Sequence, residues 1–244
     1  QVPVAARSWK FESSPGHHRP LAARRRSKGN RLTHKVFTLP TEVHVHRGDI
    51  PGGLDFGDAV AVDTETQGLN LQRDRLCVVQ LSAGDGVCHL VQMSADDYAA
   101  PNLKALMTNP AVIKIFHFAR FDVAIMKRWL GITITPVYCT KIASKLVRTY
   151  TDRHGLKDVT RELIGIDLSK AQQSSDWAAP ELSEAQQIYA ASDVLNLHVL
   201  HERLQEMIER EGRTALAKAC FDFLETRAEL DLAGWQEADI FAHS

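Results

Sequence analysis

A short β-run, Ala59-Val60-Ala61-Val62, that ends in Asp63-Thr64-Glu65 constrains this chain more than any other stretch. Residues at i and i+2 of a strand leave the same face, so Asp63 and Glu65 stand side by side at the end of an apolar strand. Two further acids occupy positions whose neighbours are apolar. Asp122 heads a stripe of Ile125, Met126 and Trp129 at helical spacing. Asp193, one turn after Tyr189, begins a stripe continued by Leu197, Leu200, Leu204 and Met207. Each acid thus faces the side predicted to be buried. A buried carboxylate without a partner costs several kcal/mol or takes up a proton, and four that converge require cations.

Hard oxygen ligands without a Cys or His cage point to Mg²⁺ or Mn²⁺. Two such ions roughly 3.5–4 Å apart clamp the attacking water and the leaving oxygen of an in-line displacement at phosphorus. Blander readings stand beside this one. An isolated Asp-x-Glu after a strand serves as a turn or cap, and Asp122 is favourable at the positive end of a helix whatever else it does. Asp193, read as lying well inside a helix on its apolar face, resists such an account.

Asp63-x-Glu65, His117-Phe118-Ala119-Arg120-Phe121-Asp122 and Tyr189-x-x-x-Asp193 resemble the three motifs of the DEDDy 3′-to-5′ exonucleases, in the ribonuclease D branch. His154-Gly155-Leu156 and the run Lys170 to Trp177 are similar to further signatures of that branch. The runs Cys139 to Lys145, Arg148 to Lys157 and Asp231 to Ser244 narrow the resemblance to the nanoRNase C family of alphaproteobacteria. It extends from about His44 to the end.

The resemblance implies an α/β fold of the ribonuclease H-like class, a mixed sheet flanked by helices. It implies a 3′-to-5′ exoribonuclease that cleaves short oligoribonucleotides, dinucleotides above all, to nucleoside 5′-monophosphates. Asp63, Glu65, Asp122 and Asp193 would ligate two Mg²⁺ or Mn²⁺ ions, and Tyr189 would orient and help deprotonate the attacking water. His117 is expected at the scissile nucleotide, with backbone satisfaction at a strand end as its alternative. Leu69 is expected to wedge between two bases, with a core leucine as its alternative. Thr66 joins these as a substrate contact. Lys141, Arg148 and Arg153, with Ser174 and Ser175, are candidates to face a 5′-phosphate; a solvated basic helix face is the competing reading. Ribonuclease D-like trimming of tRNA 3′ ends, a DNA substrate, and an inactive fold that only binds nucleic acid remain alternatives. An intact acid set argues against the last. A closed ring of identical subunits, an octamer, is also implied, and the apolar residues from Phe221 to Phe241 form either its contact or a tail folded on its own core.

Charge divides the chain unevenly. Residues 1–40 hold nine Lys or Arg against one acid, a balance of +8, whereas the remainder holds 20 basic against 29 acidic residues, a balance of −9. Divalent ions would offset part of that deficit. Residues 1–40 lack hydrophobic periodicity and read as a disordered basic arm, ahead of an exonuclease domain at 41–244. The arm suits nonspecific polyanion binding, an organelle transit peptide, or no role at all, and the last is favoured because the resemblance begins after it. An opening at Gln1 suggests trimming or truncation. No second domain such as the helical RNA-binding domains of longer ribonucleases D is expected.

Cys77, Cys88, Cys139 and Cys220 show no C-x-x-C spacing and are expected to be reduced core residues in a cytoplasmic setting. No apolar run approaches the length of a membrane span. His44 with His46, and His198 with His201, are spaced for metal ligation, yet each lacks companion ligands in sequence and reads as a surface pair.

Strands are predicted at Ala59 to Asp63, Leu76 to Leu81, Val87 to Val91, Ile113 to Phe116 and near Val137, with a hairpin at Gly84-Asp85-Gly86. Helices are predicted at Ala100 to Met107, Phe121 to Leu130 and across Thr140 to Gly165. Ser183 and Gln186 form a capping box that starts one long helix carrying Tyr189 and Asp193.

Overall fold

The computed structural model describes residues 34–169 and 171–243. Most of the basic arm, residues 1–33, and Lys170 therefore lie outside the described residues. Among the described residues, one six-stranded sheet has the order β1-β4-β3-β2-β5-β6. The strands are β1 (Glu42–Arg47), β2 (Ala59–Thr66), β3 (Leu76–Ser82), β4 (Val87–Gln92), β5 (Ile113–Phe116) and β6 (Val137–Cys139). β2, β3 and β4 form an antiparallel meander through the predicted hairpin. β1 joins β4 in parallel, and β5 and β6 extend β2 in parallel. The sheet is mixed, as the strand order requires.

Eight helices flank it among the described residues: α1 (Pro101–Thr108), α2 (Ala119–Leu130), α3 (Thr140–Val147), α4 (Leu156–Ile164), α5 (Glu184–Val194), α6 (Leu197–Arg210), α7 (Thr214–Asp222) and α8 (Leu224–Leu232). Alternation along β2 divides the interior into two cores. Val60 and Val62 pack with Val123, Ile125, Met126 and Leu224 on one side. Ala61 packs with Ala190, Val194, Leu200 and Leu204 on the other.

Several expectations change. The single late helix is two, because the chain turns at Leu195-Asn196 between α5 and α6, and Asp193 stands in the last turn of α5 rather than well inside a helix. The capping box is present: Ser183 Oγ accepts from Gln186 N at 3.3 Å and Gln186 Oε1 accepts from Ser183 N at 3.0 Å. β1 joins the sheet as an edge strand that the predicted order lacks. Part of the Phe221 to Phe241 run folds on its own core, with Leu224 and Ala228 buried on α8.

Residues 34–40, assigned by sequence to the arm, pack on the domain. The Phe37 amide donates to Asn196 Oδ1 at 2.9 Å and its carbonyl accepts from Asn196 Nδ2 at 2.7 Å. The ring lies against Gly86, whose backbone φ is +94° and where a β-carbon would approach it within 2.5 Å. Residues 34–40 thus pack with the domain rather than apart from it. His198 and His201 are not a surface pair either: His198 is buried with Nε2 3.1 Å from the Ala59 carbonyl, and His201 packs edge-on against Tyr138. All four cysteines are free, three buried and Cys220 partly so.

Candidate active site

β2 and β5 run parallel as neighbours, so their carboxyl ends open at the same end of the sheet. In an open α/β sheet that end is where ligands bind. Asp63 and Glu65 leave the α5 face of β2. Thr64, between them, leaves the opposite face and donates to Asp122 Oδ1 at 2.7 Å. That bond brings the first turn of α2 over the strand end. α5 delivers Tyr189 and Asp193 from the other layer.

A cleft of about 580 Å³ is lined by Asp63, Glu65, Asp122, Tyr189 and Asp193 together with Thr66, Leu69, His117, Ser174 and Ser175. Thr64, Gln67, Gly68, Phe118, Phe121, Gln173 and Trp177 complete its walls. Asp63, Glu65 and Asp193 each offer an oxygen within 4.8 Å of the others. Asp122, nearly fully buried, adds the fourth carboxylate, held by Thr64.

No lysine or arginine is among the described residues that line the cleft. The electrostatics follow. Burial, then Asp122, Asp193 and Glu65, push the Asp63 carboxyl well above the usual range. Burial, then Asp193 and Asp122, push Glu65 up to about 9. Burial raises Asp122 to about 7 against the Thr64 hydrogen bond, and raises Asp193 to about 7 against the Tyr189 hydroxyl. Such crowding, with no lysine or arginine among the described lining residues, fits a pair of divalent ions bound by oxygen ligands. Burial and the charges of Asp193, Glu65 and Asp63 drive the Tyr189 phenol upward, so it is a neutral hydroxyl at pH 7.

The loop after β2 presents Leu69 outward. Gly68 packs on Asp74 so closely that a β-carbon would meet Asp74 Oδ2 at 2.3 Å. Asp74 Oδ2 accepts from Asn70 N at 2.9 Å, and the Thr66 hydroxyl donates to the Gly68 carbonyl at 2.5 Å. Leu69 is left 83% exposed at the cleft, which excludes the core-leucine alternative.

His117 is held at its Nδ1 by a hydrogen bond to Thr140. Thr140 Oγ1 donates to the Phe116 carbonyl at 3.0 Å and lies 2.9 Å from His117 Nδ1. Nε2 is buried without a hydrogen-bond partner among the described residues. Burial, with Lys141 adding repulsion, holds the ring neutral by pulling its pKa down to about 3.

The basic candidates separate. Lys141 lies outside the cleft lining, with its ammonium 4.1 Å from the centre of the Phe118 ring, in an adjoining groove with Arg120 and Phe223. Arg153 is exposed and away from the lining. Arg148 is a correction: its guanidinium is fully buried and donates to Glu162 Oε2 at 2.5 Å, Ser144 Oγ at 2.9 Å and the Arg153 carbonyl at 2.7 Å. It ties α3 to α4. Sequence reasoning passed over Phe118, Gln173 and Trp177. Phe118 carries a detectable backbone signal only in three dimensions, a left-handed φ of +70° at the start of α2, a strained choice for a residue with a β-carbon. Trp177 packs 6.0 Å from the Tyr189 ring, centre to centre.

Residues 53–209 match the model of a 3′-5′ exonuclease domain. The chain belongs to the 3′-5′ exonuclease family. Hydrolytic cleavage of phosphodiesters is the activity of that family. Within it the chain is similar to Brucella melitensis NrnC, solved bound to pGG: 57% identity, a TM-score of 0.81, and coverage of 83% of this chain and 99% of that one. The same nuclease has also been solved with bound Mg²⁺. Ribonuclease D of Granulibacter bethesdensis is 36% identical over 156 residues, 64% of this chain and 39% of that protein. Escherichia coli RNase D, an exoribonuclease involved in structured RNA processing, matches with 25% identity and a TM-score of 0.63 over 70% of this chain and 45% of that one. The chain spans about two fifths of the length of the curated ribonucleases D it matches.

Proposed function

We propose that this exonuclease hydrolyses short oligoribonucleotides, dinucleotides foremost, from the 3′ end to nucleoside 5′-monophosphates, with two Mg²⁺ or Mn²⁺ ions. The observation that carries the reading is the likeness, along nearly the whole of that chain, to NrnC bound to pGG. The exposed Leu69 at the mouth of the carboxylate cleft supports it, since an apolar side chain there has bases to stack against.

Asp63, Glu65, Asp122 and Asp193 would hold the cations, which when bound make the attacking water more acidic and neutralise charge at the leaving oxygen. Tyr189 remains protonated and positions that water through its hydroxyl. His117 Nε2 hydrogen-bonds a ribose hydroxyl of the scissile nucleotide. Thr66 shapes the loop that carries Leu69. Ser174 and Ser175 offer hydroxyls to the upstream phosphate, and Lys141 and Arg153 add positive charge beyond the cleft. The chain assembles as a closed ring of identical subunits, an octamer, supported by the exposed Phe223, Trp235, Ile240 and Phe241. It works in the cytoplasm, where free cysteines persist. Light scattering that gave a monomer would remove the ring.

Incubation of the purified chain with 5′-labelled RNAs from dimers to decamers in Mg²⁺ tests the substrate. A 5′-phosphorylated dinucleotide should be cut at least tenfold better than its unphosphorylated form, about 1.4 kcal/mol, and should outcompete a heptamer. Equal specificity constants for dimer and heptamer would select general ribonuclease D-like trimming, the reading that the Granulibacter relative favours.

A further inference from the structure

A second gathering of ligand-type side chains lies on β1, the edge strand three positions from β2, and on its neighbour β4. His44 and His46 leave the same face of β1, and His89 on β4 is the cross-strand partner of His44 in the parallel ladder. The His44 and His89 ring centres are 5.1 Å apart and those of His46 and His89 5.3 Å, each pair stacked with nearly parallel planes. His46 Nε2 stands 3.0 Å from His89 Nδ1, and Glu42 Oε1 3.2 Å from His44 Nε2. Phe56 closes one side with its ring edge-on to His89.

The geometry points to a transition-metal site of the Zn²⁺ class, with His44, His46 and His89 as nitrogen ligands and Glu42 or water in the fourth position. Two imidazole nitrogens on one tetrahedral ion, each at about 2.0–2.1 Å, are about 3.3 Å apart. The His46–His89 pair therefore needs to open by only a few tenths of an ångström, with the ion replacing the shared proton. His44 is turned toward Glu42 and completes the set by rotating about its side-chain bonds, which its 41% exposure allows. Imidazole donors select Zn²⁺, Ni²⁺ or Cu²⁺ over Mg²⁺, while the carboxylate cleft favours hard cations. The two sites are thus separated by chemistry as well as by position. Occupancy would pin β1, which among the described strands pairs only with β4, to the rest of the sheet.

The test uses the full chain, stripped with EDTA and re-equilibrated in millimolar Mg²⁺ to fill the carboxylate cleft, with Zn²⁺ as the probe. One equivalent of Zn²⁺ per chain should survive gel filtration and raise the melting temperature by several degrees. His46→Ala and His89→Ala should retain none, and Asp193→Ala should retain as much as the parent. Co²⁺ in place of Zn²⁺ should give the intense visible bands of a tetrahedral ion, absent in His89→Ala. No retention by the parent, or retention lost in Asp193→Ala and kept in His89→Ala, overturns the site. Should those two variants fail to fold, His44→Ala decides: Zn²⁺ affinity should fall at least tenfold, and unchanged affinity overturns the assignment.

Discussion

Thr64 Oγ1 donates to Asp122 Oδ1 across 2.7 Å and so joins the central strand to the helix that faces it. The bond favours the ionised carboxylate and offsets part of the rise that burial imposes. Thr64→Val keeps the shape and removes the donor. The acidic limb of the kcat/KM profile should move to higher pH, because Asp122 then needs a more alkaline solution to ionise. Leaving a buried acceptor unmatched should also cost roughly 1–3 kcal/mol in EDTA. An unmoved limb would mean that Asp122 ionisation does not limit the reaction.

Crowded carboxyls make the metal-free protein sensitive to alkali. Glu65 is raised from 4.5 to about 9, and Asp122 and Asp193 from 3.8 to about 7. Raised acid pKa values stabilise the fold below the unfolded values and lose that contribution as pH climbs through the folded ones. In EDTA the melting temperature should therefore fall between pH about 5 and about 9. Mg²⁺, binding the ionised form, should restore it more at the alkaline end. Scanning fluorimetry across pH with and without Mg²⁺ measures both; a Mg²⁺ effect that shrinks as pH rises contradicts the assignment.

Asp193→Ala and Tyr189→Phe separate ligand from orienting group. The first should abolish cleavage while leaving the metal-free melting temperature equal or higher at neutral pH, since one crowded charge is gone. Tyr189→Phe should lower turnover by roughly 10²–10⁴-fold, the range for a positioned acid or base, with little change in substrate affinity. Single-turnover rates and dinucleotide binding by fluorescence report the two quantities. An equal loss of affinity would make Tyr189 a substrate clamp.

Arg148→Met should destabilise rather than desensitise. Removing one partner of a buried ion pair costs roughly 3–5 kcal/mol, and here Glu162, partly exposed, can rehydrate, so the lower end is expected. Urea titration measures the loss. A rise in KM for a 5′-phosphorylated dinucleotide with unchanged stability would return Arg148 to phosphate recognition.

What was legible in sequence was whatever a strand or one helical turn encodes locally. Asp63 and Glu65 sit two apart, and Asp122 opens its helix, so alternation and periodicity suffice. Failures came where a partner is distant or a pattern runs through a break. The stripe from Tyr189 to Leu204 continues across Leu195-Asn196, so nothing in its spacing marks the turn between α5 and α6. Arg148 read as one more exposed base because Glu162, fourteen residues on, supplies its burial only through the fold. His44 and His46 lacked a third ligand because His89 is brought to them by the parallel pairing of β1 with β4.

Removing residues 1–33 should leave dinucleotide cleavage within a few-fold and the melting temperature unchanged. Removing residues 1–40 deletes both Phe37 hydrogen bonds to Asn196 and the 2.8 Å contact of His34 with Glu202, and should lower the melting temperature by several degrees. Identical melting of the two truncations would show that the Phe37 contact is energetically silent.

The seat of Phe37 against Gly86 has a practical corollary. The β3–β4 hairpin lies at the Ala59 end of β2, and six residues of strand, roughly 20 Å, separate that end from Glu65. A fluorophore or an immobilising handle attached just ahead of His34 would therefore be anchored on the side of the sheet away from the carboxylates, leaving the cleft open for real-time measurement of turnover on a surface.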